Sequence, residues 1–333
     1  FNNFFFYHNM VNLLSFISKL KQKIIFIRFG KTFIPDKPNV IKLFQIIFKT
    51  IYFKEYKFRK NILKNDIKKL KSDLFVDKSQ GFKILKTSKI FNNDQLKILI
   101  KLISEYNSID WINDKDINRK KDFLLQKDIN IDDNLNTIIE GLLPVVTQYI
   151  GSLPILAKAS YWYSPNERNV EGRSQSWHMD SEDVRQLKIM IPIDNVDQEN
   201  GALSLVSANK SQEIFKKLIK KNIENKRNVK INDEIFENEI IPDDKISINL
   251  NKDEIGFIDT CRCYHYGSRK SKRPRKLIIL HFTSAYSLYV PIFRRKIKNY
   301  KIDKALDLVH IFKENNLYHS AKQEIKKWEL KIL

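Results

Sequence analysis

Trp177-His178-Met179-Asp180 sets the tightest condition on how this chain can fold. If the segment is extended, residues i and i+2 leave the same face of the strand, so His178 and Asp180 can grip one metal ion together. A third ligand is available in Tyr264-His265-Tyr266, far along the sequence. The fold must therefore bring a second strand back beside the first. Two imidazoles and one carboxylate cover one face of an octahedron and leave the remaining positions open, the donor set of non-haem Fe(II) oxygenases. Arg275 lies ten residues past His265. Its guanidinium could clamp the far carboxylate of a keto-acid cosubstrate in a bidentate pair.

The texture around these residues is that of short strands. Leu156–Tyr163, Arg185–Ile193, Ala202–Val206, Glu254–Ile258 and Lys276–Thr283 carry the β-branched and aromatic residues that strands favour. Glu199-Asn200-Gly201 suits a tight turn between two of them, since Asn-Gly tolerates positive φ. Gly81 to Leu85 reads as a further strand. Asn92 or Asn93 is placed to cap a helix over Asp94 to Tyr106, and Leu135 to Ile150 reads as a buried helix. Residues 107–134 are polar and read as loops. Residues 208–250 form a Lys/Asn/Glu-rich insertion. Before residue 75 the pattern is helical, with Leu43, Ile46, Ile47 and Ile51 as one apolar stripe and Pro35-Asp36-Lys37-Pro38 as a break. Regular short strands wrapped by helices predict a barrel-like antiparallel core.

Three units follow: a basic helical extension over 1–75, a β-rich domain over 76–300 with its insertion near 208–250, and a helical tail over 301–333 packed on that domain. The 333 residues carry a formal charge of +21, and residues 1–72 hold 16 Lys/Arg against three acids. Such an excess can draw a protein to nucleic acid, anionic lipid or phosphorylated substrates; a general bias toward Lys, Asn and Ile accounts for it equally. Leu13 to Phe29 is interrupted by Lys19, Lys21, Lys23 and Arg28, which argues against a spanning helix and against a secretory signal. A basic helix lying on a membrane surface stays open. The sequence begins with Phe1, and Met10 is a candidate start. Cys261 and Cys263 are too few for a disulfide framework, so a reducing, cytoplasmic setting is expected.

From about Gly81 to Tyr286 the chain resembles the phytanoyl-CoA dioxygenase-like family of Fe(II)/2-oxoglutarate-dependent oxygenases. The resemblance rests on the Gly81-Phe82-Lys83-Ile84-Leu85 strand and on Trp177-His178-Met179-Asp180, which is similar to the family's Trp-His-x-Asp motif. It rests also on Asp197 to Leu203, similar to its Asn-Gly-x-Leu turn, and on Arg275-Lys276 with His281-Phe282. The family's Pro-Gly-Ser-His loop is replaced here by Ser207 to Ser211. The resemblance implies an α+β fold with a mainly β core, a double-stranded β-helix (jelly roll, cupin-like) flanked by helices. It implies His178, Asp180 and His265 as iron ligands and Arg275 as partner of the 2-oxoglutarate C5 carboxylate. The reaction implied couples O2 and decarboxylation of 2-oxoglutarate to hydroxylation of a small or carrier-bound substrate, with release of succinate and CO2. Halogenating relatives lack the carboxylate ligand; Asp180 is present, so hydroxylation or desaturation is expected.

Further contacts to the cosubstrate are sought on neighbouring strands. Tyr161 or Tyr163 could offer a hydroxyl, and Lys188 an ammonium, if they face the interior. Arg173, Arg185 and Arg269 would favour an anionic substrate if they converge at the mouth. Ser268 and Thr283 are small hydroxyls near His265 and Arg275 in sequence, while His281 reads as structural. Two other readings stay open: oxidative demethylation of nucleic acid, and a non-catalytic jelly-roll protein docked to acidic membranes. The basic residues lack the interleaved aromatics of a base-stacking platform, which weighs against nucleic acid.

Overall fold

A computed structural model describes residues 38–121, 124–165, 175–223, 230–267, 269, 271–287, 290, 295, 297–298, 300–302 and 304–309. Helices α1 (Pro38–Ile51), α2 (Phe53–Asn61) and α3 (Lys64–Lys69) precede strand β1 (Phe82–Lys86). A short α4 (Thr87–Ile90) and α5 (Asn93–Asn107) lead into a hairpin of β2 (Ile117–Lys121) and β3 (Leu124–Asp128). Then come α6 (Asp133–Ile150), β4 (Ile155–Ser164), β5 (Gln186–Pro192) and β6 (Leu203–Leu205). Helices α7 (Ala208–Lys220) and α8 (Asp233–Glu237) precede β7 (Ile246–Ile248), β8 (Glu254–Ile258), β9 (His265–Tyr266) and β10 (Arg275–Thr283).

The strands form two sheets, ordered β1-β8-β5-β10-β4-β3-β2 and β7-β6-β9, with every named pairing antiparallel. Period-two alternation explains how they are buried. On β10, Ile278, Leu280 and Phe282 point to one side, where they join Leu135, Ile138, Ile139 and Leu142 of α6 and Leu99 and Leu102 of α5. Leu277 and Ile279 point to the other, where they meet Leu203 and Leu205 of β6 and Ile248 of β7. A third cluster covers the outer face of the small sheet, built from Ile214, Phe215 and Leu218 of α7, Phe236 of α8, and Trp177, Tyr264 and Tyr266. The order is helix, large sheet, small sheet, helix. At about 1.5–3 kcal/mol for each large apolar side chain removed from water, these three clusters supply most of what holds the layers together.

Helix ends follow their local chemistry. Asn92 caps α5 in a reciprocal box, its side chain accepting from Gln95 N (2.9 Å) while Gln95 Oε1 accepts from Asn92 N (3.1 Å). Asp132 caps α6 by accepting from Leu135 N. In α1 the buried side is Ile41, Phe44 and Phe48, whereas Leu43 and Ile46 of the expected stripe stay about half exposed, at 51% and 52%. This helix is apolar on more than one face; the face turned inward carries Phe48, over which the guanidinium of Arg295 stacks at 3.7 Å. The polar 107–134 stretch, expected as loop, holds the β2–β3 hairpin at the end of the large sheet. The residues before 75 pack on the β-rich core: Arg59 O accepts from Leu153 N, Arg59 Nη1 donates to Leu308 O, and Tyr56 meets Tyr286 edge-on. Residues 1–37 and 310–333, where the first basic stretch and most of the tail fall, lie outside the described residues. Among the described residues no helix is long and apolar enough to cross a membrane.

Asp183 joins the end of the large sheet to α1. Its Oδ1 accepts from Gln45 Nε2 (2.8 Å) and Val184 N (2.7 Å), and its Oδ2 from Thr283 Oγ1 and Ser284 N (both 2.7 Å). Burial pushes its acid up to about 6, against the pull of these donors, so it is ionised at neutral pH. Asp183→Asn would turn an NH2 group onto two donors. We expect that change to lower stability by roughly 2–4 kcal/mol, read from urea midpoints at pH 7.5; a shift below about 0.5 kcal/mol would remove this joint from the fold's supports.

Candidate metal centre

His178 follows Trp177, which is locked outward by stacking on Phe236 and meeting Tyr266 edge-on. Alternation then turns His178 and Asp180 inward. Backbone bonds pair His178 with His265 in both directions, His178 N to His265 O at 3.1 Å and His265 N to His178 O at 2.9 Å. Asp180 N donates to Thr260 O at 2.8 Å. The two rings lie 4.4 Å apart, centroid to centroid, and one ligand atom from each of His178, Asp180 and His265 falls within 4.8 Å of the others. The structure thus brings together the three residues that the sequence pattern singled out.

The imidazoles are oriented for a cation. His178 Nδ1 lies 2.8 Å from Ser176 O, and His265 Nδ1 lies 3.0 Å from Cys263 O. A carbonyl only accepts, so each Nδ1 carries the hydrogen and each Nε2 presents a lone pair. Burial lowers both rings, His265 to about 4 and His178 well below its usual range, so they are neutral at pH 7. Burial acts to raise the Asp180 acid, but the Lys188 ammonium and its hydrogen bond hold it well below the usual carboxylate range. Two neutral nitrogens and one anionic oxygen are what a divalent metal takes up.

Asp180 is held through one oxygen. Lys188 Nζ donates to Oδ2 at 2.6 Å and Gln186 Nε2 at 3.1 Å, while Oδ1 lies 3.8 Å from His178 Nε2. Gln186 also donates to Thr260 Oγ1 (2.7 Å), and its Oε1 lies 2.8 Å from His281 Nε2, which therefore carries a hydrogen. His281 sits two hydrogen bonds behind Asp180, because β10 residues of its parity face the small sheet. From sequence it reads as structural and away from the metal ligands; its place is nearer than that, supporting Asp180 through Gln186. Burial lowers His281 to about 3. The unfolded chain takes up this proton near 6.5 and the folded one does not, so His281 lowers stability as pH falls below about 6.5. Its partial exposure limits the effect to roughly 2–4 kcal/mol. Relative to wild type, the His281→Gln protein is expected to lose less stability between pH 7 and pH 4.5 in urea titrations; equal losses would contradict this.

Arg275 opens β10 on the same inner face. Its Nη1 donates to Gly201 O (3.0 Å) and its Nη2 to Ser164 Oγ (3.4 Å), while the buried Nε has no hydrogen-bond partner. Burial lowers it to about 10, and no acid offsets that. Gly201, at φ +71°, ends the turn that begins at Asp197, and this conformation aims its carbonyl at the guanidinium. A Cβ on Gly267, two residues past His265, would stand 3.5 Å from Arg275 Nη2. The arginine thus lies beside the chain leaving His265.

Other expected contacts fall elsewhere. Tyr161 and Tyr163 belong to the opposite face of β4, so neither reaches this interior. Tyr161 packs in the helix-side core and donates to Glu105 Oε2 (3.2 Å), and Tyr163 stacks on Trp111. Past the β-bulge at Ala157, residues of even number on β4 face inward, and Ser164 is the hydroxyl that reaches Arg275. Lys188 is brought to the site, bonded to Asp180. Arg269 stacks 3.4 Å over Tyr266 and donates to Asp233, while Arg185 lies near Lys49 and Lys78; the two do not converge. Arg173 and Ser268 lie outside the described residues, and Thr283 is bonded to Asp183. Cys261 and Cys263 are buried and not joined by a disulfide.

No protein-family model matches this chain, and no curated protein matches it. Solved structures that it resembles include EctD from S. alaskensis in its apoform, at 13% identity over 62% of this chain and 74% of that one, with a TM-score of 0.42. The epimerase SnoN in complex with Fe3+, alpha ketoglutarate and nogalamycin RO matches at 12% identity over 72% and 93%, with a TM-score of 0.43. HygX from Streptomyces hygroscopicus with nickel and 2-oxoglutarate bound matches at 11% identity over 62% and 84%, with a TM-score of 0.40. Likenesses of this size carry no argument by themselves, and the reading below rests on this chain's own residues.

Proposed function

We propose that this protein is an Fe(II)/2-oxoglutarate-dependent dioxygenase of the phytanoyl-CoA dioxygenase-like kind, with a jelly-roll core, that hydroxylates a small or carrier-bound organic substrate. The observation that carries the reading is the inward-facing set of His178, Asp180 and His265, each imidazole presenting Nε2, with Arg275 buried beside it and lacking an acid. The donor set suits a ferrous ion. Arg275, with one buried N–H unused, suits a dicarboxylate whose other end reaches the metal.

When bound, iron and 2-oxoglutarate supply the oxidising chemistry, consuming O2 and releasing succinate and CO2. The chain's residues set the geometry for it. His178 and His265 each hold a proton on Nδ1 and give Nε2 to the metal. Lys188 and Gln186 hold Asp180 Oδ2 and leave Oδ1 for it. Arg275 and Ser164 fix the far carboxylate of the cosubstrate. Leu203, Leu277 and Ile279 supply apolar walls between the sheets, which keep water from the cosubstrate's methylenes.

Purified protein supplied with Fe(II), 2-oxoglutarate and O2 is expected to release succinate, with His265→Ala reduced to background. Release that is absent from the wild type under a substrate screen, or equal in His265→Ala, would sink the proposal.

A further inference from the structure

Four chain segments are tied together at one end of the large sheet, where Phe82 pairs with Ile258 and Gln186 with Thr283. The turn after β8 is the hub. Asp259 N donates to Gly81 O (2.8 Å) and Arg262 Nη1 to Lys78 O (2.7 Å), which fixes the approach to β1 against this turn. Asp183 N donates to Cys261 Sγ (3.4 Å) and Gln186 N to Asp259 Oδ1 (3.5 Å), which fixes the approach to β5. Asp183 Oδ1 accepts from Gln45 Nε2 (2.8 Å), and Lys49 Nζ donates to Gln45 Oε1 (3.0 Å), which fixes α1. Each segment brings a cation to this point: Lys78, Arg185, Arg262 and Lys49.

The four charges act on one another. Burial lowers the Lys78 ammonium, and the Arg185 and Arg262 guanidiniums lower it further. Burial lowers Lys49 as well, with Asp183 drawing it back up and Arg185 opposing that pull. The acids of the region are held by other donors. Asp183 accepts from Gln45, Val184, Thr283 and Ser284. Asp259 accepts from Tyr149 Oη (2.6 Å) and Cys261 N (3.0 Å), and Asp77 from Ser79 N (2.7 Å). Among the described residues no ion pair engages any of the four cations. Water solvates any one of them singly; bringing four together costs repulsion that a multiply charged anion removes. Two guanidinium forks beside two ammonium groups match an anion with several oxygens and more than one charge. A carboxylate, with two oxygens and one charge, leaves most of the repulsion in place.

We infer that this end of the large sheet binds a phosphate-bearing small molecule, with Arg185 and Arg262 gripping the phosphate oxygens and Lys49 and Lys78 flanking them. The site stands at the Thr283 end of β10, opposite the Arg275 end. It uses none of the three candidate metal ligands, so it holds or fails apart from the dioxygenase reading.

The test titrates the full chain, metal-free, with pyrophosphate, inorganic phosphate and acetate at fixed ionic strength, followed by calorimetry. Expected is one saturable site per chain for pyrophosphate, weaker binding of phosphate and none of acetate. Arg185→Gln and Arg262→Gln should each weaken pyrophosphate binding on the order of tenfold, about 1.4 kcal/mol. Lys216→Gln, which removes an exposed cation of α7 outside the cluster, should leave it unchanged. Arg262 also supports Lys78 O, so Arg185→Gln, which breaks no such bond, decides the matter if Arg262→Gln fails to fold. The inference is overturned if pyrophosphate does not bind at fixed ionic strength, if acetate binds as tightly, or if Arg185→Gln binds as well as wild type. An equal loss in Lys216→Gln would also overturn it, by showing that only the overall positive charge attracts the anion.

Discussion

Asp180→Ala is expected to abolish metal binding and, in the metal-free protein, to lower folding stability by about 3–5 kcal/mol. The two effects have separate causes. Metal binding is lost because two neutral imidazoles remain with no anionic donor to offset the charge of the ion. Stability is lost because Lys188 Nζ, 2.6 Å from Asp180 Oδ2, would be left as an ammonium in a largely closed site. Glu182 lies close enough to act on the same ammonium, but burial pushes its own acid up to about 7, followed by repulsion from Asp180, so it is a weaker partner. Removing both charges separates the causes. The Asp180→Ala/Lys188→Met protein should regain most of the lost stability and none of the metal binding. Equal instability of the single and double variants would show that the pair is not what links β5 to the 176–183 segment.

Arg275→Leu is expected to raise the 2-oxoglutarate requirement by roughly a hundredfold or more while changing the stability of the metal-free protein by less than about 1 kcal/mol. A bidentate guanidinium–carboxylate contact comprises two charge-assisted hydrogen bonds, each worth about 1.5–3 kcal/mol, and this sets the first figure. The second follows from the arginine's neighbours: a carbonyl at 3.0 Å and a hydroxyl at 3.4 Å only partly offset burying a cation that has no acid beside it. Leucine keeps the apolar contacts and removes that cost. Arg275→Lys should not restore cosubstrate affinity, because a point charge cannot form the fork. Isothermal titration with 2-oxoglutarate on Mn(II)-loaded protein, beside urea melts of the metal-free variants, checks both halves. Unchanged cosubstrate affinity in Arg275→Leu would take the residue out of its assigned role.

The site's centre was legible because it depends on strand geometry that the sequence states locally. His178-x-Asp180 puts two candidate ligands on one face by parity alone, and the segment carrying His265 ends beside Gly267 and Arg275. The strands of β4, β5, β8 and β10 were legible for the same reason, being apolar on both faces between two packed layers. What parity alone does not say is which face is inward. Tyr161 and Tyr163 have the right chemistry for a cosubstrate pocket but the wrong parity, and only the pairing of Ser164 with Arg275 settles it. His281 was passed over for a related reason. Its link to Asp180 runs through Gln186 on a strand distant in sequence, and a glutamine relay has no sequence signature. The β2–β3 hairpin was hidden because Ile117 to Lys121 is mostly polar and sits at the end of the large sheet, where burial imposes little pattern.

Anaerobic equilibrium binding of Fe(II) to the metal-free protein, followed beside His178→Ala, Asp180→Ala and His265→Ala, addresses the whole chain of reasoning at its root. One ferrous ion per chain in the wild type, lost in each of the three variants while circular dichroism shows them folded, is the predicted result. A wild-type protein that takes up no iron, or variants that bind it as tightly as wild type, would contradict the assignment of this triad as a metal centre.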